Sequence, residues 1–475
     1  MKQYEATIGL ETHVMQHTRT KMFCGCLRVY GADPNTHVCP VCVGYPGAMP
    51  VLNRKAIELC CKAGMLLGCS INRLSRWDRK NYFYPDMAKN YQITQADDPL
   101  CLGGKLEVEV DGVTKVFDIE RIHQEENAAK NIHAAGASLV DYNRAGTALM
   151  EIVSTPCMHS AEDALAYMTA IKQIMQYGGI SACDQEKGEM RSDVNISVRP
   201  VGQSELGAKV EIKNMNSFAF IKEAIEYEVD RQISVLEQGG TIDQETRGYD
   251  AERGETFVQR SKEDAHDYRY FPEPDLLPLT LTVEEMEAWR SELPELPAQR
   301  RARYVEELGL PAYDAAVLTA DKATSDWFEA VLPYSSKAKP ISNFMMGEMQ
   351  RLLTEKEITI EACKMMPEAL AKLVDLIDQG VISNSAGKQV FEILFDEGGT
   401  PESIIEAKGL AQVSDDGALE QWADTAIAEN PKPVEEYKAG NPASINFLMG
   451  QVMKASRGKA NPGAVMQLLK QKLDG

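Results

Sequence analysis

Carboxylates stand at three notable places in the chain, at two of them beside an imidazole, and each is of a kind that can hold a hard metal ion. In residues 5–14, strand alternation puts Ala6, Ile8, Leu10 and Val14 on one face and Glu5, Thr7, Gly9, Glu11 and His13 on the other. Glu11 and His13, two residues apart on the polar face, can share a metal ion; the pattern also fits a solvent-facing strand with incidental charge. His123-Gln124-Glu125-Glu126 forms a second group. The third is Glu151, inside the apolar run Leu149-Met150-Glu151-Ile152-Val153. An ionised carboxylate there needs a cation, a donor, or a core arginine such as Arg144. Oxygen ligands with one histidine suit Mg2+ or Mn2+, and Mg2+ suits a nucleoside triphosphate.

Two further segments have polar faces of the same kind. Residues 191–199 bury Val194, Ile196 and Val198 and set Arg191, Asp193, Asn195, Ser197 and Arg199 opposite, while Lys209, Glu211 and Lys213 alternate with Val210 and Ile212. Strands this polar on one face line water or a ligand. Arg79, Lys80, Arg144 and Lys213 are available for phosphates, with Asn81 beside Lys80 as a further nucleotide-binding candidate. The chain has no GxxxxGK[ST] loop and no GxGxxG after a strand, so an ATP site here is of neither common type.

The cysteines form the most specific local pattern. Cys24-Gly25-Cys26 and Cys39-Pro40-Val41-Cys42, with twelve residues between the inner pair, present two thiolate pairs able to grip a tetrahedral ion. Four thiolates leave no open position, which points to structural Zn2+, against the alternative of unligated thiols in a reducing compartment. Cys60, Cys61, Cys69, Cys101, Cys157, Cys183 and Cys363 lack such spacing and read as small buried hydrophobes.

These groups need a scaffold, and the first 290 residues supply short alternating segments divided by turns. Leu106, Val108 and Val110 lead into Asp111-Gly112 and on to Val116 and Ile119, a hairpin. Ser160 and Asp163 form a capping-box pattern before the apolar stripe Leu165, Met168, Ile171 and Met175, and Gly178-Gly179 ends that helix. Proline-rich text at 271–274 and 293–294 marks a boundary, after which the period is helical to the end, with breaks at Asn430-Pro431 and Asn441-Pro442. At 475 residues the chain exceeds one hydrophobic core. No run spans a bilayer, and the N-terminus lacks the order of a signal peptide, so the expected compartment is the cytoplasm. A formal charge of −21 argues against broad, non-specific nucleic-acid binding but leaves room for a local basic site.

Longer stretches then carry a family resemblance. Ile8–His13, Asp78–Asp86, Ser138–Gly146, Lys209–Asn214, Arg260–Pro272 and Gly450–Ala455 resemble, in this order and across nearly the whole chain, signatures of the B subunits of bacterial Asp/Glu-tRNA amidotransferases. The resemblance implies an α+β protein in three parts: a β-sheet cradle over 1–292, a helical domain over 293–410 and a YqeY-like helical tail over 411–475. It implies an amidase A subunit and a small C subunit as partners in a heterotrimer, and a misacylated tRNA as substrate. The family activity it implies is phosphorylation of the side-chain carboxylate of Glu or Asp on tRNA by ATP, followed by displacement with ammonia. By resemblance, Glu11, His13, Glu125 or Glu126, and Glu151 hold Mg2+, one glutamate of the adjacent pair facing inward; Lys80 and Asp193 complete the candidate catalytic set.

The chain departs from the family pattern at several points. Asn127-Ala128-Ala129-Lys130 stands where an aspartate and Ala-Gly-Lys are usual, so one carboxylate is lost near the expected site. Thr155-Pro156-Cys157 replaces Glu-Pro-Asp, Ser192 replaces a cysteine and Thr12 a valine. Residues 451–475 carry Lys454, Arg457, Lys459, Lys470 and Lys472 against one acid, Asp474, a basic island that either meets tRNA phosphates or forms a solvated helix face. The competing function is a zinc-bearing, tRNA-binding scaffold with a decayed kinase site.

Overall fold

Tyr4–Met15 is extended because its apolar and polar side chains alternate with period two. It pairs antiparallel with Ala148–Ser154 on one side and Met190–Pro200 on the other. The polar-faced segments read from the sequence are therefore direct neighbours. In this computed structural model, which describes residues 3–134, 136–215, 217–261, 268–412, 416–456 and 458–474, they form the middle of a ten-stranded sheet. Val210–Lys213 extends the sheet beyond Met190–Pro200, followed by Glu245–Asp250 in parallel and Glu255–Ser261. On the other side Val113–Glu126 pairs with Ala148–Ser154, and with Lys105–Val110 it makes the expected hairpin. Asp111 and Gly112 both take positive φ, 52° and 78°, as a two-residue primed turn requires.

The sheet has one covered face and one open face. Ile8, Leu10, Val14, Met150, Ile152, Val194 and Ile196 pack with Tyr167, Met168 and Ile171 of the helix Ala161–Tyr177 and Ile221, Ala224 and Ile225 of the helix Phe218–Glu237. Burying these side chains stabilises the layer by about 1.5–3 kcal/mol for each large one, before entropy is charged. The other face keeps the acids, imidazoles and cations. Ser160 caps the first helix by accepting from Asp163 N at 3.1 Å; the Asp163 carboxylate accepts from His159 N, so the capping box closes on its Ser160 half only.

The chain divides into two compact units, Met1–Pro297 and Ala298–Gly475. The second unit is helical and contains two hydrophobic clusters, one drawn from Tyr304 to Ile405 and one from Leu419 to Leu473. The latter lies in the helices Asp416–Glu429, Pro431–Lys438, Ser444–Ala455 and Pro462–Asp474, which break at the two Asn-Pro positions. The first unit thus carries the sheet with its covering helices and the second is helical, an α+β fold. Among the described residues no helix is long and apolar enough to cross a membrane.

Candidate active site

Strand register aligns the chemistry on the open face. Arg191 lies opposite His13, His13 opposite Glu151 and Glu151 opposite His123, one row across four strands. Directly opposed residues bring Cβ atoms to about 4.5–5.5 Å. Nε2 of His13 and Nε2 of His123 accordingly lie 3.4 and 3.3 Å from Oε2 of Glu151. Glu125, two residues past His123, turns to the same face, with Oε1 3.3 Å from His123 Nε2. His13, Glu125 and Glu151 can offer ligand atoms that all lie within 4.8 Å of one another.

A second acidic cluster lies beside this row on the same face. Asp193 lies opposite Glu11, and with Glu211 they form another set whose ligand atoms lie within 4.8 Å of one another. Asn195 donates to Glu11 at 2.9 Å, and Lys213 Nζ sits 2.6 Å from Asp193 and 2.9 Å from Glu211. Glu11 and His13, expected to share one ion, fall in separate groups on the same open face. Two residues along a strand are separated by about 7 Å, which places them in different cross-strand rows. Both clusters line one cavity of about 730 Å³, together with Lys80, Tyr82, Arg121, Arg191, Tyr268 and Tyr270.

The buried groups are strongly ionised. Burial alone would lower the His123 imidazole, but hydrogen bonds to Glu125 and Glu151 outweigh it and hold it up at about 9. Burial would raise Glu125, yet Lys80 and His123 draw it down to about 2, and the two histidines hold Glu151 well below the carboxylate range in the same way. Lys80 and Lys213 stay charged despite burial because carboxylates face them, Glu125 first for Lys80 and Asp193 first for Lys213. Among the described residues, Nδ1 of both His13 and His123 is buried without a hydrogen-bond partner. Two ionised carboxylates held against the Nε2 atoms of two imidazoles suit a divalent cation, which would take the place of the imidazole proton.

The cysteine set also converges. Cys24, Cys26, Cys39 and Cys42 place their sulfurs within 4.8 Å of one another, and a tetrahedral zinc ion with sulfurs at about 2.3 Å needs them about 3.8 Å apart. Cys42 Sγ accepts from Cys39 N at 3.2 Å and from Lys21 Nζ at 3.5 Å, so one thiolate is already supported. Hydrogen bonding from Cys24 draws Cys42 down to about 4, while Cys24 itself is pushed up.

The family described as the GatB/GatE catalytic domain matches residues 6–287, and the family described as the GatB domain matches residues 326–473. The chain is 52% identical over 473 residues to the B subunit of the aspartyl/glutamyl-tRNA(Asn/Gln) amidotransferase of Thermoanaerobacter sp. (strain X514), covering 99% of both chains. Proteins of the same name are 50% identical over 478 residues in Carboxydothermus hydrogenoformans, covering 100% of this chain and 99% of the relative, and 51% over 472 in Persephonella marina, covering 99% and 100%. This chain belongs to the family of amidotransferase B subunits.

In this member of the B-subunit family strand parity sets Glu125 and Glu126 on opposite faces, and Glu125 is the one that lines the cavity. Glu126 points to the opposite face, where it pairs with Lys89 and accepts from Ile93 N at 3.0 Å, and it does not line the cavity. Of the expected phosphate-binding cations, Lys80 and Lys213 line the cavity. Arg79 does not; it is held by Glu273 at 2.7 and 2.9 Å and by Asp275 at 3.1 Å. Arg144 instead donates to the carbonyls of Ala128 and Ala129 at 3.1 and 2.8 Å, which also removes it as a partner for Glu151. Asn81 donates to the carbonyls of Tyr268 and Arg269 and so braces the cavity wall.

Of the departures from the family pattern, Ser192 lines the cavity beside Asp193, while Thr12, Asn127, Thr155 and Cys157 do not line it. Asn127, where an aspartate is usual, belongs to neither acid cluster. Thr12 and Ser192, two of the departures, are register partners whose buried hydroxyls bond at 3.0 Å. In the tail, Lys454, Lys459 and Lys470 are exposed, Lys472 is paired with Asp424 at 2.8 Å, and Arg457 lies outside the described residues, as do 262–267 of the Arg260–Pro272 signature. Sequence reasoning named His123, Glu211 and Arg191 without assigning them to the site, and it missed Tyr82, Tyr268 and Tyr270. Their partners come from strands far along the chain, and only cross-strand register brings them together.

Proposed function

We propose that this chain is the tRNA-dependent kinase and transamidase subunit of a carbon–nitrogen ligase that converts Glu-tRNA(Gln) to Gln-tRNA(Gln) or Asp-tRNA(Asn) to Asn-tRNA(Asn). Membership of the B-subunit family supports this reading. The observation that carries it is the pairing of the His13–Glu125–Glu151 and Glu11–Asp193–Glu211 clusters with Lys80 and Lys213 in one cavity. A carboxylate is a poor electrophile, so ATP must first convert it to an acyl phosphate that ammonia can attack. His13, Glu125 and Glu151 would hold Mg2+, which when bound neutralises the charge that shifts during phosphoryl transfer. Lys80, charged and set 4.9 Å above the Tyr268 ring, faces the same space and can hold an anionic substrate group. Lys213 sits 2.6 Å from Asp193 and 2.9 Å from Glu211 and balances the charge of the second acidic cluster.

Ammonia must arrive unprotonated and shielded from water, which favours delivery by a bound amidase partner, with a small C subunit completing a heterotrimer. Cys24, Cys26, Cys39 and Cys42 would hold structural Zn2+ and fix the loop beside the sheet. The exposed Lys454, Lys459 and Lys470 would meet tRNA phosphates while the cavity takes the aminoacylated end. ATP hydrolysis by the assembled enzyme is the test. Stimulation by Glu-tRNA(Gln) but not by uncharged tRNA, abolished by chelating Mg2+, is expected; equal rates with charged and uncharged tRNA would contradict the proposal.

A further inference from the structure

The cations that line the cavity differ in how far they are already committed. Lys213 is claimed by Asp193 and Glu211, Arg121 is paired with Glu120, and Lys80 rests on the Tyr268 ring and faces Glu125. Arg191 also lines the cavity, and among the described residues its exposed side chain has no hydrogen bond, ion pair or ring contact. Its position is not peripheral. Arg191 is the register partner of His13 and ends the row that runs through Glu151 to His123, and two residues further along its own strand stands Asp193 of the second cluster. A planar guanidinium with five donors and no protein acceptor, set at the edge of a site rich in carboxylates, is built to meet an anion brought by a ligand.

We propose that Arg191 is a catalytic residue that binds the transferred γ-phosphoryl group of ATP, and this rests on the functional reading above. In that step a carboxylate oxygen of the aminoacyl side chain forms a bond to the γ-phosphorus as the bond between that phosphorus and the β,γ-bridging oxygen breaks. ADP leaves with the electron pair of the bridging oxygen, and no proton moves. The three non-bridging oxygens carry the charge throughout, and Arg191 can donate to two of them at once, which Lys80 as a point charge cannot. The two arginines first expected to bind phosphate are bonded elsewhere, which leaves Arg191 as the cavity guanidinium free for the role.

The test compares equilibrium binding of ATP and ADP, in Mg2+, to the assembled enzyme carrying wild-type Arg191, Arg191→Ala or Arg191→Lys, with single-turnover kinetics alongside. Because ADP lacks the γ-phosphoryl group, Arg191→Ala should weaken ATP binding by about tenfold, the loss expected of a charge-assisted hydrogen bond, and leave ADP binding unchanged. The rate of phosphoryl transfer should fall with no rise in KM for the charged tRNA, and Arg191→Lys should restore part of the ATP affinity and little of the rate. Equal weakening of ATP and ADP, or no weakening of either, would overturn the assignment. A wild-type enzyme that binds neither nucleotide would sink the functional reading itself, an outcome visible before any substitution is made. An unchanged melting temperature for Arg191→Ala separates these results from misfolding.

Discussion

His13 and Glu151 face each other across adjacent antiparallel strands, with the imidazole Nε2 3.4 Å from the carboxylate. They are 138 residues apart in a chain whose register leaves them no other neighbour on that row except Arg191 and His123. The site is therefore a property of strand pairing, and a one-residue slip would turn its groups into the apolar layer.

Strand parity separates the two adjacent glutamates. Glu125→Gln should lower transamidation by more than about a hundredfold, beyond the range typical of changes outside the ligand set, with the fold intact. Glu126→Gln breaks a buried pair with Lys89 and should cost about 3 kcal/mol in urea denaturation, with kcat per folded molecule little changed. Reversal of this pattern would move the metal ligand to Glu126.

Thr12 and Ser192 form a buried hydroxyl pair, and each needs the other. Thr12→Val or Ser192→Ala alone leaves one buried hydroxyl unmatched and should destabilise by about 1–3 kcal/mol. The double variant should recover much of that loss. A double-mutant cycle in thermal or urea unfolding would give the coupling, and strict additivity would mean the hydroxyls do not interact.

Four converging sulfurs predict one zinc ion per chain. Replacement by Co2+ should give the intense visible bands of tetrahedral thiolate ligation, and Cys42→Ser should abolish them and lower the melting temperature. Protein purified with intact thiols and no bound metal, yet fully stable, would count against a structural ion.

Asp314 gives an acid-sensitive contact in the helical unit. Burial would raise its carboxyl, but hydrogen bonds from Lys339 at 2.6 Å and Ser342 at 2.7 Å hold it below its ordinary 3.8. The unfolded chain therefore takes up a proton at higher pH than the native state does. The contribution to stability is complete above 3.8 and is lost as pH falls towards the lower native value. Asp314→Asn should thus destabilise more at pH 7 than at pH 3 in urea unfolding; an equal effect at both would mean the carboxylate charge is not what matters.

Much of this was legible from alternation alone. The polar faces at 5–14 and 191–199, the Asp111-Gly112 hairpin, the Ser160 cap and the cysteine set follow from local rules, and each appears where those rules place it. The failures share one cause. Arg79 is taken by Glu273, 194 residues away, and Arg144 by the carbonyls of a loop, so a cation visible in sequence need not be free in the fold. The division of Glu11 and His13 between two clusters depends on which residues lie opposite them, and Tyr268 and Tyr270 reach the cavity from a segment with no periodic signal.

The most direct test of the whole account is ATP-dependent conversion of Glu-tRNA(Gln) to Gln-tRNA(Gln) by this chain assembled with the proposed A and C partners, given free ammonium, for wild type and Glu151→Ala. Conversion that requires Mg2+ in wild type and disappears in the variant, while tRNA binding persists, is the predicted result. Wild-type enzyme that binds the charged tRNA but forms no product, or a Glu151→Ala variant that converts it at the wild-type rate, would contradict the account, the first in favour of a tRNA-binding scaffold.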